Sequence, residues 1–411
     1  HLVFKGTICS KAPDAPMQAK VKMNFEFDYS KLELAINGIS EKRDLHSDKV
    51  LPLVQLIETL PFYSIRKNPI VLFGNGFADV RPEPLARQVW RFAKKNGSAA
   101  ALKALDALVK IEEIEVATYA FIEGAQTNAP IEIGDDITAL PESQAHSTFF
   151  SKAISELKPG IIDAEGCILV VKERSDPFRS LPDGADTTLL PADFFPKYNA
   201  LTRLETAARV ITVAGPTAAA IRAHTFRVLG NQLDILGMTE GVSYQYPDFS
   251  SIRNKWQINT EIKGIFEQYK NFDQKSINRI DTAIDRLNFA CAHSNRGSSI
   301  IDAAIALETL LGDQGSRQEL SYRLKLRCAL LMKNDLEERK KISNFVRELY
   351  AKRSQMVHQG QITITEANFT RDAVNLVSSV IKKCLFLGGI PDWPTLELSG
   401  KATLPSLLEV K

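Results

Sequence analysis

"LEERKKISNFVRELYAKRSQMVHQG", Leu336–Gly360, contains no proline and spaces Ile342, Phe345, Val346, Leu349 and Tyr350 at helical intervals. That spacing lays the apolar side chains along one stripe of an α-helix. The stretch therefore reads as a long amphipathic helix ending near Gly360, with Arg353 and His358 close to its C-terminal end. Cations there complement the helix dipole, and a glycine just beyond is a common cap. Arg353 follows Val346 by seven residues, which places its guanidinium on or beside the face to be buried. A groove-facing arginine needs an anionic partner, protein or substrate, because leaving it unpaired costs roughly 3–5 kcal/mol.

The same character extends on both sides. From about Gln274 to Gly388 the chain is almost free of proline and falls into consecutive helical blocks. "QKSINRIDTAIDRLNFACAHSN" spaces Ile277, Ile280, Ile284, Leu287 and Cys291 along one face. "SSIIDAAIALETLLGDQG" turns Ile301, Ile305 and Leu311 inward and carries Glu308 on that stripe. "ELSYRLKLRCALLMKND" precedes the quoted stretch, and "TEANFTRDAVNLVSSVIKKCLFLGG" follows with a Thr/Glu capping signal at Thr365. Four or five amphipathic helices with short turns predict an α-helical bundle over 263–390. "IPDWPTLELSG" opens an extended tail over 391–411.

Residues 1–262 predict an α+β region, read as sensing or regulatory and able to hold two subdomains. Val21, Met23, Phe25 and Phe27 alternate as in a half-buried strand. "NPIVLFGNGFADVRPEPLARQVWRFAKK" reads as a strand, a glycine turn and a helix with Pro84 near its first turn. "SAAALKALDALVKIEEIEVATYAFIEGA" is helical by propensity and ends close to Gly124. "EGCILVVKE" predicts a strand and "ALTRLETAARVITVA" a helix. "VAGPTAAA" looks like a helix start with Thr217 as cap.

A chain of 411 residues predicts two or three domains, and its 44% hydrophobic and 24% charged residues are those of a soluble globular protein. The net charge of +2 does not make the whole chain a nucleic-acid binder. Glu319–Gly360 does hold ten Lys/Arg against five Asp/Glu, a local basic excess suited to a phosphate backbone or to an ordinary solvated face. Cys9, Cys167, Cys291, Cys328 and Cys384 are scattered with no C-x-x-C pair, which argues against a zinc ribbon and a disulfide framework. No apolar run reaches the roughly 20 residues of a membrane span. The start, "HLVFKGT", lacks an initiator methionine and a signal-peptide pattern, so a trimmed N-terminus and a cytoplasmic location are expected.

No G-x-x-x-x-G-K-[ST], H-E-x-x-H or G-x-S-x-G occurs, and no cofactor or metal site is expected. Gly74 and Gly76 read as a plain turn, and the isolated His46, His146 and His224 as structural or surface residues. The candidate chemistry is an arginine that forks onto phosphate and a histidine that moves a proton near neutral pH. Together they suffice for attack of an RNA 2′-hydroxyl on the adjacent phosphate. Spacing alone is weak evidence. With 22 arginines, six histidines and three allowed spacings, R-x4-6-H occurs by chance about once. The chain has two matches, Arg353 with His358 and Arg286 with His293. On an unbroken helix the first pair lies about 140° apart and converges only if the helix ends or kinks between them. Arg353, followed by a polar residue near a helix end, is preferred over Arg286. Glu308 is its expected partner, in a buried ion pair that Arg323 or Arg327 could join.

"AIALETLLG", "ELSYRLKLRCALLM" and "ELYAKRSQMVHQG", in this order and spacing, resemble the HEPN superfamily, most closely its Apea-like branch. The resemblance covers roughly Gln274 to Gly388. It implies an all-α bundle that homodimerises and brings two Arg–polar–x3–His motifs into one composite cleft. It also implies a metal-independent endoribonuclease of antiviral, abortive-infection or toxin systems. Arg353 and His358 match the catalytic pair, Ser354 the intervening polar position, and Glu308 the acidic residue of the second helix. Ser354 is shorter than the Asn or Asp common there. The partners implied are RNA, a second copy, and a phage-derived or antitoxin regulator, with no membrane. The alternative is a non-catalytic HEPN bundle that dimerises or holds RNA.

Overall fold

The computed structural model describes residues 30–39, 48–73, 76–144, 166–181, 199–237, 240–244, 255–313, 319–359 and 367–402. The strand expected over Val21–Phe27 and the readings of Cys9, His46, Gly74, His146, Gly360 and Thr365 lie outside these residues.

Among the described residues three short helices come first, α1 (Ser30–Gly38), α2 (Leu51–Glu58) and α3 (Pro61–Ile65). The strand β1 (Pro69–Phe73) then returns antiparallel as β2 (Gly76–Asp79), one strand more than the expected strand, turn and helix. Helices α4 (Pro82–Asn96) and α5 (Ser98–Val109) follow, α4 with Pro82 in its first turn. Leu85, Val89, Trp90, Leu105 and Leu108 close a first core with α1 and α2. Burial of each such side chain contributes about 1.5–3 kcal/mol.

The helix expected to reach Gly124 stops at Val109, and Ile114–Glu123 is strand β3 instead. Ile114, Val116, Thr118, Phe121 and Ile122 are buried, on both faces, and both edges of the strand are paired along nearly their whole length. Two complete ladders and double-sided burial outweigh the helix propensity of Ala117 and Ala120. The strands β4 (Ala125–Gln126), β5 (Ile131–Gly134), β6 (Ile137–Pro141), β7 (Gly166–Ser175) and β8 (Phe178–Ser180) follow. After α6 (Asn199–Ala214) come β9 (Ala220–Leu229), β10 (Glu240–Tyr244) and β11 (Trp256–Gln257). The main sheet is antiparallel, in the order β10-β9-β3-β7-β6-β5. Where β3 shifts register at Phe121/Ile122, Arg222 bulges from β9 and pairs with the buried Glu123 carboxylate.

"VAGPTAAA" does not start a helix. It joins the end of α6 to β9, and the Thr217 hydroxyl donates to the Gly124 carbonyl at 3.2 Å. A Cβ on Gly215 would stand 2.0 Å from the Trp256 ring, so this glycine lets β11 close onto the end of α6.

The helical half is α7 (Glu261–Lys270), α8 (Ile277–Ala292), α9 (Arg296–Leu311), α10 (Leu320–Met332), α11 (Leu336–Gln359) and α12 (Ala367–Leu387). A short α13 (Trp393–Ser399) stands where an extended tail was expected. Asp392 caps it by accepting from the Thr395 amide at 2.9 Å, and Trp393 and Leu396 enter the core. The main core runs without a break from the sheet face under α6 into the bundle, across the expected boundary at 262/263. Ser378 and Lys382 of α12 donate to the Val213 and Ala214 carbonyls at 2.7 and 2.8 Å, satisfying the buried C-terminal end of α6.

Helix α9 lies at the centre of this half. Its buried residues include Ile300, Asp302, Ala303, Ala304, Ala306, Leu307, Leu310 and Leu311, whereas Ile301 and Ile305 are only half-buried. Leu311 is buried as expected, while the positions expected at Ile301 and Ile305 are displaced by one residue, because α9 packs on several sides and burial does not select one narrow face. Asn295 caps its start through the Gly297 and Ser298 amides. Two arginines close its end. Arg279 donates to the carbonyls of Thr309 at 2.6 Å, Leu310 at 2.9 Å, and Gly312. Arg327 donates to the Leu311 carbonyl at 2.7 Å.

Arg327 is almost fully buried and also bonds Asp313 at 2.8 Å and Glu397 at 2.6 Å, tying α10 to the α9 end and to α13. Arg323 joins Asp313 at 2.5 Å. Hydrogen bonds from Arg327 hold the Asp313 carboxyl below its ordinary 3.8. A depressed carboxyl contributes stability above its unfolded pKa that is lost as pH falls through the folded value. Arg327→Ala is expected to lose about 2–4 kcal/mol in urea unfolding, discounted because both acids are partly exposed. Asp313→Asn is expected to flatten the fall in stability below about pH 4 in acid titrations followed by circular dichroism.

Candidate functional site

Arg353 projects from α11 toward α9, where its guanidinium stands 3.6 Å from Glu308. Both side chains are partly exposed, at 32% and 23%, so the pair is a half-buried ion pair at the bundle surface. Tyr350, one turn before Arg353, reaches the same place. Burial first, then the nearby Glu308 carboxylate, push its phenol well above the usual range, so it stays protonated. Arg353 Nε, Glu308 Oε1 and Tyr350 Oη are all shielded from solvent, yet none has a hydrogen-bond partner. Three orphaned polar atoms in one cluster are unusual, since buried polar groups are normally satisfied.

Arg323 and Arg327, which could have joined Glu308, are instead committed to Asp313 and Glu397. Much of the basic excess around the motif is likewise internally balanced. Lys340, Lys341 and Lys352 pair with Glu337, Glu338 and Glu348 along α11. Arg347 stays exposed and, among the described residues, makes no ion pair.

Helix α11 continues through Gln359, so it does not end between Arg353 and His358. The two side chains leave the helix about 140° apart. Arg347, Ser354 and His358 share the exposed stripe, because steps of seven and four residues return to nearly the same azimuth. Ser354 makes no hydrogen bond among the described residues. Met356 lies on the α9 side, and its thioether covers Gly297 so closely that a Cβ there would be 2.7 Å from it. Within one chain, then, Arg353 and Glu308 come together, while His358 and Ser354 face outward.

The cluster missed in the sequence lies on the other side of α9. Asp302, buried on α9, is bonded by Arg286 at 2.9 Å and by His293 at 2.8 Å. The signal was present in the spacing: seven residues turn a helix to within about 20° of two full turns, so Arg286 and His293 share a face. His224 is buried, and burial lowers its pKa, which fits a structural histidine. Burial also pushes the thiols of Cys167, Cys291, Cys328 and Cys384 up to about 12, so none is a ready thiolate. Among the described residues no group of three or more His, Cys, Asp or Glu is placed to hold a metal ion. No helix there is long and apolar enough to cross a membrane.

Comparisons with protein-family models, curated proteins and solved structures give no match to this chain. Arg353→Ala is expected to cost at most about 1 kcal/mol in urea unfolding, because its ion pair is partly solvated and not ideally placed.

Proposed function

We propose that the chain is a metal-independent endoribonuclease of the HEPN type, active as a homodimer in antiviral defence, abortive infection or as a toxin. The observation that carries this reading is the unbroken α11, which holds Arg353 at the bundle surface and presents His358 about 140° away. Two groups so divided serve one phosphate only if a second copy supplies one of them. The exposed stripe of Arg347, Ser354 and His358 is the surface that such a copy and an RNA strand would meet.

In that cleft His358 exchanges a proton with the RNA 2′-oxygen or with the leaving oxygen. Arg353 stabilises charge on the phosphorane, with Glu308 3.6 Å from its guanidinium. The 2′-oxygen attacks its own phosphate, the 5′-oxygen leaves, and the product ends in a 2′,3′-cyclic phosphate.

The second reading is a dimerising or RNA-holding bundle without catalysis. The Arg353–Glu308 ion pair favours it, because a carboxylate already neutralises the guanidinium. Cleavage assays on folded variants separate the two. Arg353→Ala and His358→Ala are each expected to cut RNA at least about 100-fold more slowly than wild type. Mixing the two inactive proteins is expected to restore cleavage, since a mixed dimer rebuilds one complete site. Variants that cut as fast as wild type would leave the scaffold as the function.

A further inference from the structure

We propose that Arg286, His293 and Asp302 form a second site at the α8–α9 junction, one that binds the phosphate group of a ligand. The three residues are built as a unit. Asp302 is buried on α9, and each of its oxygens is taken by a different residue from α8 or its cap. Arg286 NH1 donates to Oδ1 at 2.9 Å, and the His293 ring Nε2 meets Oδ2 at 2.8 Å. The exposures are graded outward: the Asp302 side chain is 10% exposed, that of His293 34% and that of Arg286 43%. A sequestered anion thus orients two groups that both present a free edge to solvent.

Those free edges set this cluster apart from a structural staple. Arg327, in the same bundle, is 3% exposed and spends Nε, NH1 and NH2 on Glu397, Asp313 and the Leu311 carbonyl. Arg286 lies over the Phe289 ring at 6.0 Å and uses only Nη1 in a hydrogen bond; among the described residues Nε and Nη2 have no hydrogen-bond partner. His293 spends only Nε2, and Nδ1 has none. The unused groups are a guanidinium edge and an imidazole nitrogen, both in a fixed orientation.

That pair suits a phosphate. A guanidinium edge matches two phosphate oxygens. With Nε2 held on Asp302, Nδ1 is the ring nitrogen left to meet a third oxygen. Arg296, exposed in the first turn of α9, adds a cation close by in the chain. The assignment is independent of Arg353 and His358, which leave a different helix. Gly297 and Glu308 meet α11 on one side of α9, while Asp302 faces α8 on another.

The test is NMR of the full-length protein carrying labelled histidine, with the His293 ring signal assigned by its loss in His293→Gln. Inorganic phosphate and uridine 5′-monophosphate are titrated into wild type, and a short oligouridylate into His358→Ala so that it stays intact. A saturable shift of the His293 signal is expected, with affinity about tenfold lower in Arg286→Gln. Arg286→Lys, which leaves Asp302 a charged partner but lacks the fork, replaces that variant if it does not fold, with the same loss expected. Tightest binding of the oligouridylate supports the site with an RNA strand as the source. Tightest binding of the mononucleotide supports it with a free nucleotide, and of inorganic phosphate with the free anion. No saturable shift with any probe, or an affinity that survives both Arg286 substitutions, overturns the assignment and leaves an ion triad that only joins α8 to α9.

Discussion

The C-terminal end of α9 is buried, and its carbonyls have no helical partners. Arg279 from α8 and Arg327 from α10 supply the missing donors. Each guanidinium joins elements distant in the chain, and Arg327 also fixes α13 through Glu397. The order of the helical half follows from this constraint. With the end of α9 held, its one side meets α8 and presents Asp302, and another meets α11 and presents Glu308.

Both candidate clusters therefore hang on one helix. At Glu308 the chemistry is partly closed: an acid, an arginine and a tyrosine converge, but their polar atoms do not bond one another well. At Asp302 the acid is fully used and its partners face outward. The difference is one of azimuth on α9. Six residues separate the two acids, which turns them about 120° apart.

Helical segments were legible where apolar residues recur at three and four positions. Ile280, Ile284 and Leu287 of α8 are buried as their spacing requires. Strand β3 was not legible, because Ala117 and Ala120 favour a helix locally and only pairing with β7 and β9 decides otherwise. Trp393–Ser399 was misread for a similar reason. It was read as part of an extended tail, yet Pro394 sits in the first turn of a helix, where its missing amide costs nothing. For the site, the sequence pointed to Arg353 beside a buried face and to Glu308 as its partner, and the two do meet. It ranked Arg286 and His293 lower, since nothing local reveals that Asp302, on the next helix, closes on both.

The sequence by itself determined the element types from α8 to α12, the phase of each side chain on its helix, and so the divergence of Arg353 and His358. Those follow from backbone geometry, which repeats every 3.6 residues whatever the surroundings. Only the tertiary structure decided which acid meets which base. Glu308, Asp302, Asp313 and Glu397 are chemically interchangeable in the sequence. Burial and the crossing of α8, α10 and α11 over α9 assign each to its own arginine, because a desolvated charge must find its partner within a few ångströms.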